Sequence, residues 1–177
     1  MNTATAAVAS SDTEQDFTFT RSVNAPRDLV FNVWTQRDHL QQWFGPKGCP
    51  IVSCTTDLRP GGIMHYAMQT PGGAMWGKWV YCEISTPERL VFVASFSDEE
   101  GGIRRAPFSA GRPLEMLSTV TFEEKDGRTE IALRASAHNA TELERETFNS
   151  SHKMLTQGWT GTFDQLAEYV EAVASLP

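Results

Sequence analysis

Hydrophobic and polar positions begin to alternate at Phe17. Phe17, Phe19 and Val23 fall between Thr18, Thr20 and Ser22, the two-residue period of a half-buried strand. Asn24-Ala25-Pro26 then opens a helix, because a proline in the first turn gives up no hydrogen bond that the helix needs. Leu29, Val30, Val33 and Trp34 recur at helical spacing, and a second short helix carries Leu40, Trp43 and Phe44 until Gly45-Pro46 stops it. From there the period returns to two. Strands are predicted over Ile51–Thr56, Ile63–Gln69, Trp76–Ile84, Leu90–Phe96, Leu114–Glu123 and Thr129–Ala137. Between them lie turns: Asp57-Leu58-Arg59-Pro60-Gly61-Gly62, Thr70-Pro71-Gly72-Gly73, Pro87-Glu88-Arg89, and Asp126-Gly127, whose residue types suit the positive φ of a type I′ hairpin. Ser97 to Pro113 breaks the rhythm with glycines, prolines and clustered charge, and reads as a functional or solvated insertion.

The last third has helical periodicity. Thr141 and Glu144 form a capping-box pattern, and Leu155, Trp159, Phe163, Leu166, Val170 and Val173 make one apolar stripe. A single helix from about Glu142 to Ala174 is expected, roughly 50 Å long at 1.5 Å per residue. One strand, two short helices, about six antiparallel strands and a long helix give the α+β class. The arrangement predicted is a helix-grip, a twisted sheet wrapped around the C-terminal helix with space left between them.

Composition narrows what such a domain does. The 177 residues are 40% hydrophobic and 21% charged, enough for one domain with a core at residues 16–177. Lys plus Arg is 15 against 22 for Asp plus Glu, a net charge of −7 that argues against nucleic acid as a partner. The longest apolar run, Leu90 to Ala94, is far short of the roughly 18–20 residues of a membrane span. Residues 1–15 are small and polar, carry no Lys or Arg, and read as a flexible leader rather than a signal peptide. Cys49, Cys54 and Cys82 are odd in number and include no CxxC pair, which suits a reducing cytoplasm. The sequons at Asn139 and Asn149 then have no consequence.

In this order and spacing, several segments resemble one family. They are Ala25-Pro26 with Val30-Phe31 and Trp34, Trp43-Phe44-Gly45-Pro46, and Asp57 to Gly62. Pro87 to Phe92 and Gly158-Trp159 with Phe163-Asp164-Gln165-Leu166 complete the set. They resemble the family named for the activator of Hsp90 ATPase homologues, within the START/Bet v1-like superfamily, from about Phe17 to Val170. The insertion Ser95 to Glu99 and the strand Pro113 to Ser118 look like a recurrent subgroup. The resemblance implies a cavity for an apolar molecule but no one chemistry, since relatives include lipid carriers, hormone receptors, polyketide cyclases and stress-response cochaperones. The eukaryotic cochaperone reaches Hsp90 through a separate N-terminal domain, for which the residues before Phe17 are too few.

No catalytic constellation is evident. His39, His65, His138 and His152 form no zinc template, there is no G-x-S-x-G, and the glycine-rich turn after Asp57 has neither Walker nor dinucleotide spacing. No cofactor and no metal are implied. His65, alternating with Met64 and Tyr66, is expected to face solvent, whereas His152 can look into the cavity mouth, with Tyr66 or Ser118 as candidate partners. Arg21 shares the apolar face of Phe17, Phe19 and Val23, and either anchors an anionic headgroup or reaches solvent or a carboxylate. Met64, Met68, Met75, Met116 and Met154 supply adaptable surface for core or pocket. The candidate ligand-binding set is Trp34, Trp43, Tyr66, Met68, Trp76, Trp79, Phe92, Met116, His152, Leu155, Trp159 and Phe163. The function expected is binding of a small apolar or amphipathic molecule between sheet and C-terminal helix. A cavity-based cyclase or hydrolase and an Hsp90-type interaction module are the alternatives, and monomer and homodimer both stay open.

Overall fold

The computed structural model describes residues 15–177, so all of the expected leader except Gln15 lies outside the described residues. The chain runs β1 (Phe17–Val23), α1 (Arg27–Thr35), α2 (Arg37–Trp43), β2 (Ile51–Thr56), β3 (Ile63–Thr70), β4 (Gly73–Ser85) and β5 (Arg89–Ser97). It continues through β6 (Ile103–Arg104), β7 (Glu115–Lys125), β8 (Arg128–His138), α3 (Glu142–Ser150) and α4 (His152–Ala174). The strands form one antiparallel sheet in the order β1-β8-β7-β5-β4-β3-β2, with β6 paired to the end of β5 beyond β7. This is the α+β helix-grip that the sequence predicts, with β6 as an unforeseen strand inside the 97–113 insertion. The β7–β8 turn has Asp126 at φ 54° and Gly127 at φ 75°, the positive pair a type I′ hairpin requires.

Alternation along the strands sends one set of side chains to the helix side. Met64, Trp79, Phe92, Val120, Phe122, Ile131 and Leu133 are all buried there. Trp34, with no exposed surface, sits at the centre, its ring 4.9 Å from Trp43, 5.8 Å from Phe163 and 5.9 Å from Phe122. Trp43 donates its Nε1–H to the Val33 carbonyl at 3.0 Å, which locks α2 against α1.

The C-terminal half of α4 is tied down. Phe163, Leu166 and Val170 are buried, Gln165 donates to the Gly45 carbonyl at 2.7 Å, and His39 Nδ1 lies 2.7 Å from the Tyr169 hydroxyl. Arg21 pairs with Asp164 at 2.7 Å. Of its two sequence readings, the carboxylate partner is the one realised, and its charge is spent on α4 rather than on a cavity.

The expected single C-terminal helix is instead two. At Ser151 (φ −93°, ψ −1°) the amide donates to Phe148 O at 3.0 Å, three residues back instead of four, and the Ser151 hydroxyl takes the same carbonyl at 2.7 Å. That local side-chain bond competes with the helical ladder and ends α3 there.

Helix α3 starts with the expected capping box: Glu144 N–H donates to Thr141 Oγ1, and Thr141 N–H donates to Glu144 Oε2 at 2.9 Å. The other Glu144 oxygen accepts from Arg105 of the insertion at 2.7 Å. The Thr141 amide and then the Arg105 side chain hold the Glu144 carboxyl below its ordinary value of 4.5. A lowered folded pKa stabilises above the unfolded value and is lost as pH falls through the folded one. Glu144→Gln keeps a capping side chain but loses the ion pair. Its deficit in urea midpoint relative to wild type is therefore expected to be full at neutral pH and to shrink below pH 4.5. A pH-independent deficit would contradict this.

Candidate functional site

Where α4 is not tied to the sheet, a cavity of about 490 Å³ opens. Leu155, Gly158, Trp159 and Thr162 share one face of α4 by their three- and four-residue spacing and form one wall. Tyr66 and Met68 of β3, Met75 of β4 and Phe96 of β5 form the floor, Phe44 to Pro46 close one end, and Phe108, Ser109 and Arg112 of the insertion stand opposite α4. Phe108 and Met154, 57% and 60% exposed, flank the mouth. A second chamber of about 130 Å³ adjoins this one, sharing Phe44, Tyr66, Phe96, Arg112 and Trp159, and reaches inward to Trp79, Phe92, Met116 and Ser118. Its end wall is rigid, because Trp79 stacks on Phe92 at 4.1 Å and meets the Phe44 edge at 5.1 Å.

Tyr66 can lie over the sheet because its cross-strand partner is Gly77. A Cβ at Gly77 would come within 2.5 Å of the Tyr66 hydroxyl and 2.6 Å of the ring carbon bearing it. Gly77→Ala is therefore expected to swing the ring into the cavity and weaken uptake of an apolar dye such as Nile red several-fold. A variant with wild-type dye affinity and unchanged tyrosine fluorescence would contradict that.

Two polar groups face this apolar space. The Tyr66 hydroxyl has no hydrogen-bond partner among the described residues, and burial pushes its pKa well above the ordinary phenol value, against a smaller opposing pull from Arg112. The Arg112 guanidinium lies 5.5 Å from the Phe96 ring centre and 5.6 Å from that of Phe108, with no carboxylate partner among the described residues. Burial lowers its pKa. The other lining hydroxyls are mostly engaged within the helices: Thr147 on Leu143 O, Ser150 on Thr147 O and Ser151 on Phe148 O. No histidine, cysteine, aspartate or glutamate lines either chamber among the described residues. No group of three or more potential metal ligands occurs among those residues either.

Of the residues singled out by sequence, Tyr66, Met68, Leu155 and Trp159 line the main cavity, and Trp79, Phe92 and Met116 line the inner chamber. Trp34, Trp43 and Phe163 are instead locked in the core. Trp76 is on the opposite face of β4, stacked on His65 at 4.8 Å. His65 does point away from the cavity, but it is half-buried rather than free in solvent. Its Nε2 lies 3.1 Å from both Ser97 Oγ and the Asp98 carbonyl, pinning the start of the insertion. His152 packs between Phe17 and Phe148, with its Nε2 buried and unpartnered, and meets neither Tyr66 nor Ser118. Sequence reasoning missed Arg112, Phe44, Phe96 and Phe108. Arg112 and Phe108 lie in the aperiodic 97–113 insertion, where no sequence signal marks the direction of a side chain.

Residues 24–171 match the family described as activator of Hsp90 ATPase homolog 1-like protein. The chain belongs to that family. Solved structures share the fold at low identity. A Nitrosomonas europaea protein is 24% identical over 93% of this chain and 99% of its own, with a TM-score of 0.73. A Mycobacterium smegmatis protein is 22% identical over 92% and 91%, at 0.70. An Arthrobacter aurescens protein is 23% identical over 89% and 86%, at 0.73. No curated protein matches the chain. Family membership accounts for the helix-grip, a fold that commonly binds hydrophobic ligands. No helix among the described residues is long and apolar enough to cross a membrane.

Proposed function

We propose that this protein binds a small apolar or amphipathic molecule between the sheet and the first half of α4. The observation that carries this reading is the cavity of about 490 Å³, walled by aromatic and thioether side chains and sharing five lining residues with an inner aromatic chamber. That volume lies within the range of about 300–1,000 Å³ common for small-molecule sites. Aromatic and methionine walls supply apolar contact without fixing one shape, which suits a carrier or sensor better than a reaction centre. The thiols of Cys49, Cys54 and Cys82 are free, and burial pushes that of Cys54 up to about 11, which fits a reducing compartment such as the cytoplasm and a structural thiol.

The test compares native with denaturing mass spectra of protein purified from cells. A discrete added mass that vanishes on denaturation supports the reading and reports stoichiometry, including any homodimer. Apo protein that also fails to take up Nile red refutes it.

A further inference from the structure

Among the described residues the cavity walls have one charged side chain, Arg112. Every other lining residue of both chambers is apolar, aromatic, or a neutral hydroxyl, glycine or proline, although the chain as a whole is at −7. Arg112 is also set apart from the arginines around it. Arg104 pairs with Asp98 at 2.6 Å and Arg105 with Glu144 at 2.7 Å, both outside the cavity. Arg112 lies beside the Phe96 and Phe108 rings instead, and its N–H groups have no partner among the described residues. The Tyr66 hydroxyl, likewise unpartnered, lines the same two chambers and is close enough to Arg112 for each to alter the other's proton affinity. Arg112 is half-buried; a guanidinium stays charged in proteins, and one set against apolar walls without a counter-charge gains from an anion that joins it.

We infer that the cavity takes an amphipathic organic monocarboxylate, its carboxylate held by the Arg112 fork and the Tyr66 hydroxyl and its apolar body lying along Phe44, Met68 and Trp159. This rests on the ligand-binding reading above and narrows it. One cation balances one negative charge, so a phosphate dianion would remain under-neutralised. The planar fork matches two carboxylate oxygens, and a phenol that stays protonated at neutral pH can only add a donated bond to them.

The experiment measures displacement of Nile red, a neutral dye, by decanoate and by 1-decanol, in wild type and in the Arg112→Met and Tyr66→Phe variants. Methionine keeps an apolar stem against Phe96 and Phe108 while removing the charge. A charge-assisted hydrogen-bonded pair predicts that wild type holds decanoate about 10- to 100-fold more tightly than 1-decanol. Arg112→Met is expected to lose that margin with 1-decanol binding retained, and Tyr66→Phe to lose several-fold on decanoate alone. Equal binding of the two probes by wild type overturns the carboxylate inference and leaves the cavity reading standing, and this comparison needs no variant to fold. An undiminished decanoate preference in Arg112→Met likewise overturns it. Failure of wild type to take up Nile red or either probe overturns both.

Discussion

Gly158→Leu is expected to abolish ligand uptake while leaving the protein folded and no less stable. A Cβ built at Gly158 meets nothing within 4 Å, and the residue lines the cavity between Leu155 and Thr162 on one face of α4. The new side chain therefore grows into the space a ligand would use. Exchanging an interior helical glycine for leucine removes a propensity penalty of somewhat under about 1 kcal/mol, so the melting temperature should hold or rise. Displacement titration with Nile red, run beside thermal unfolding, separates the two effects. Wild-type dye affinity in a folded Gly158→Leu protein would mean that the molecule binds elsewhere. A loss of binding with a raised melting temperature could not be ascribed to misfolding.

Trp34→Ala should do the opposite, removing stability and saying little about affinity. Trp34 is fully buried and packs on Trp43, Trp79, Phe122 and Phe163, which joins α1, α2, the sheet and α4 at one point. Truncating a tryptophan in such a position costs about 3–5 kcal/mol, a large share of the roughly 5–15 kcal/mol by which a domain of this size is stable. Its Nε1–H is buried with no hydrogen-bond partner. Trp34→Phe removes that unsatisfied donor, which offsets part of the lost packing, so its cost should be well below that of alanine. Urea unfolding of the two variants checks the order. If phenylalanine were as damaging as alanine, packing volume alone would set the energy of the site.

How far the sequence reached can be judged from particular residues. Strand period, the Asp126-Gly127 hairpin and the Thr141–Glu144 cap were legible because each rests on local chemistry that the fold does not override. The break at Ser151 was not. Phe148, Leu155 and Trp159 keep helical spacing across it, and serine is neither glycine nor proline, so nothing in the pattern marks an end. Residue type groups Trp76 with Trp79 as binding residues, yet they are three apart on one strand, and alternation alone puts them on opposite faces. Core and cavity wall draw on the same residue types, which is why Trp34 and Phe163 could not be told from Trp159. Arg112 lay in an irregular segment, where no period says which way a side chain points.

The cavity is assembled from two kinds of parts with different freedom to change. Trp79, Phe92 and Met116 belong to the sheet's packed interior, and altering them would disturb the fold as well as the inner chamber. Phe108, Ser109 and Arg112 come from an insertion that touches the sheet only through β6 at the end of β5 among the described residues, and Thr147 to Met154 span the junction of α3 and α4; the path β1-β8-β7-β5-β4-β3-β2 runs without either. Substitutions in the rim can therefore swap one ligand chemistry for another at little cost to foldability. A fixed sheet with an exchangeable rim lets the cavity lining change while the architecture stays, and proteins of this fold keep that architecture at identities of 22–24%.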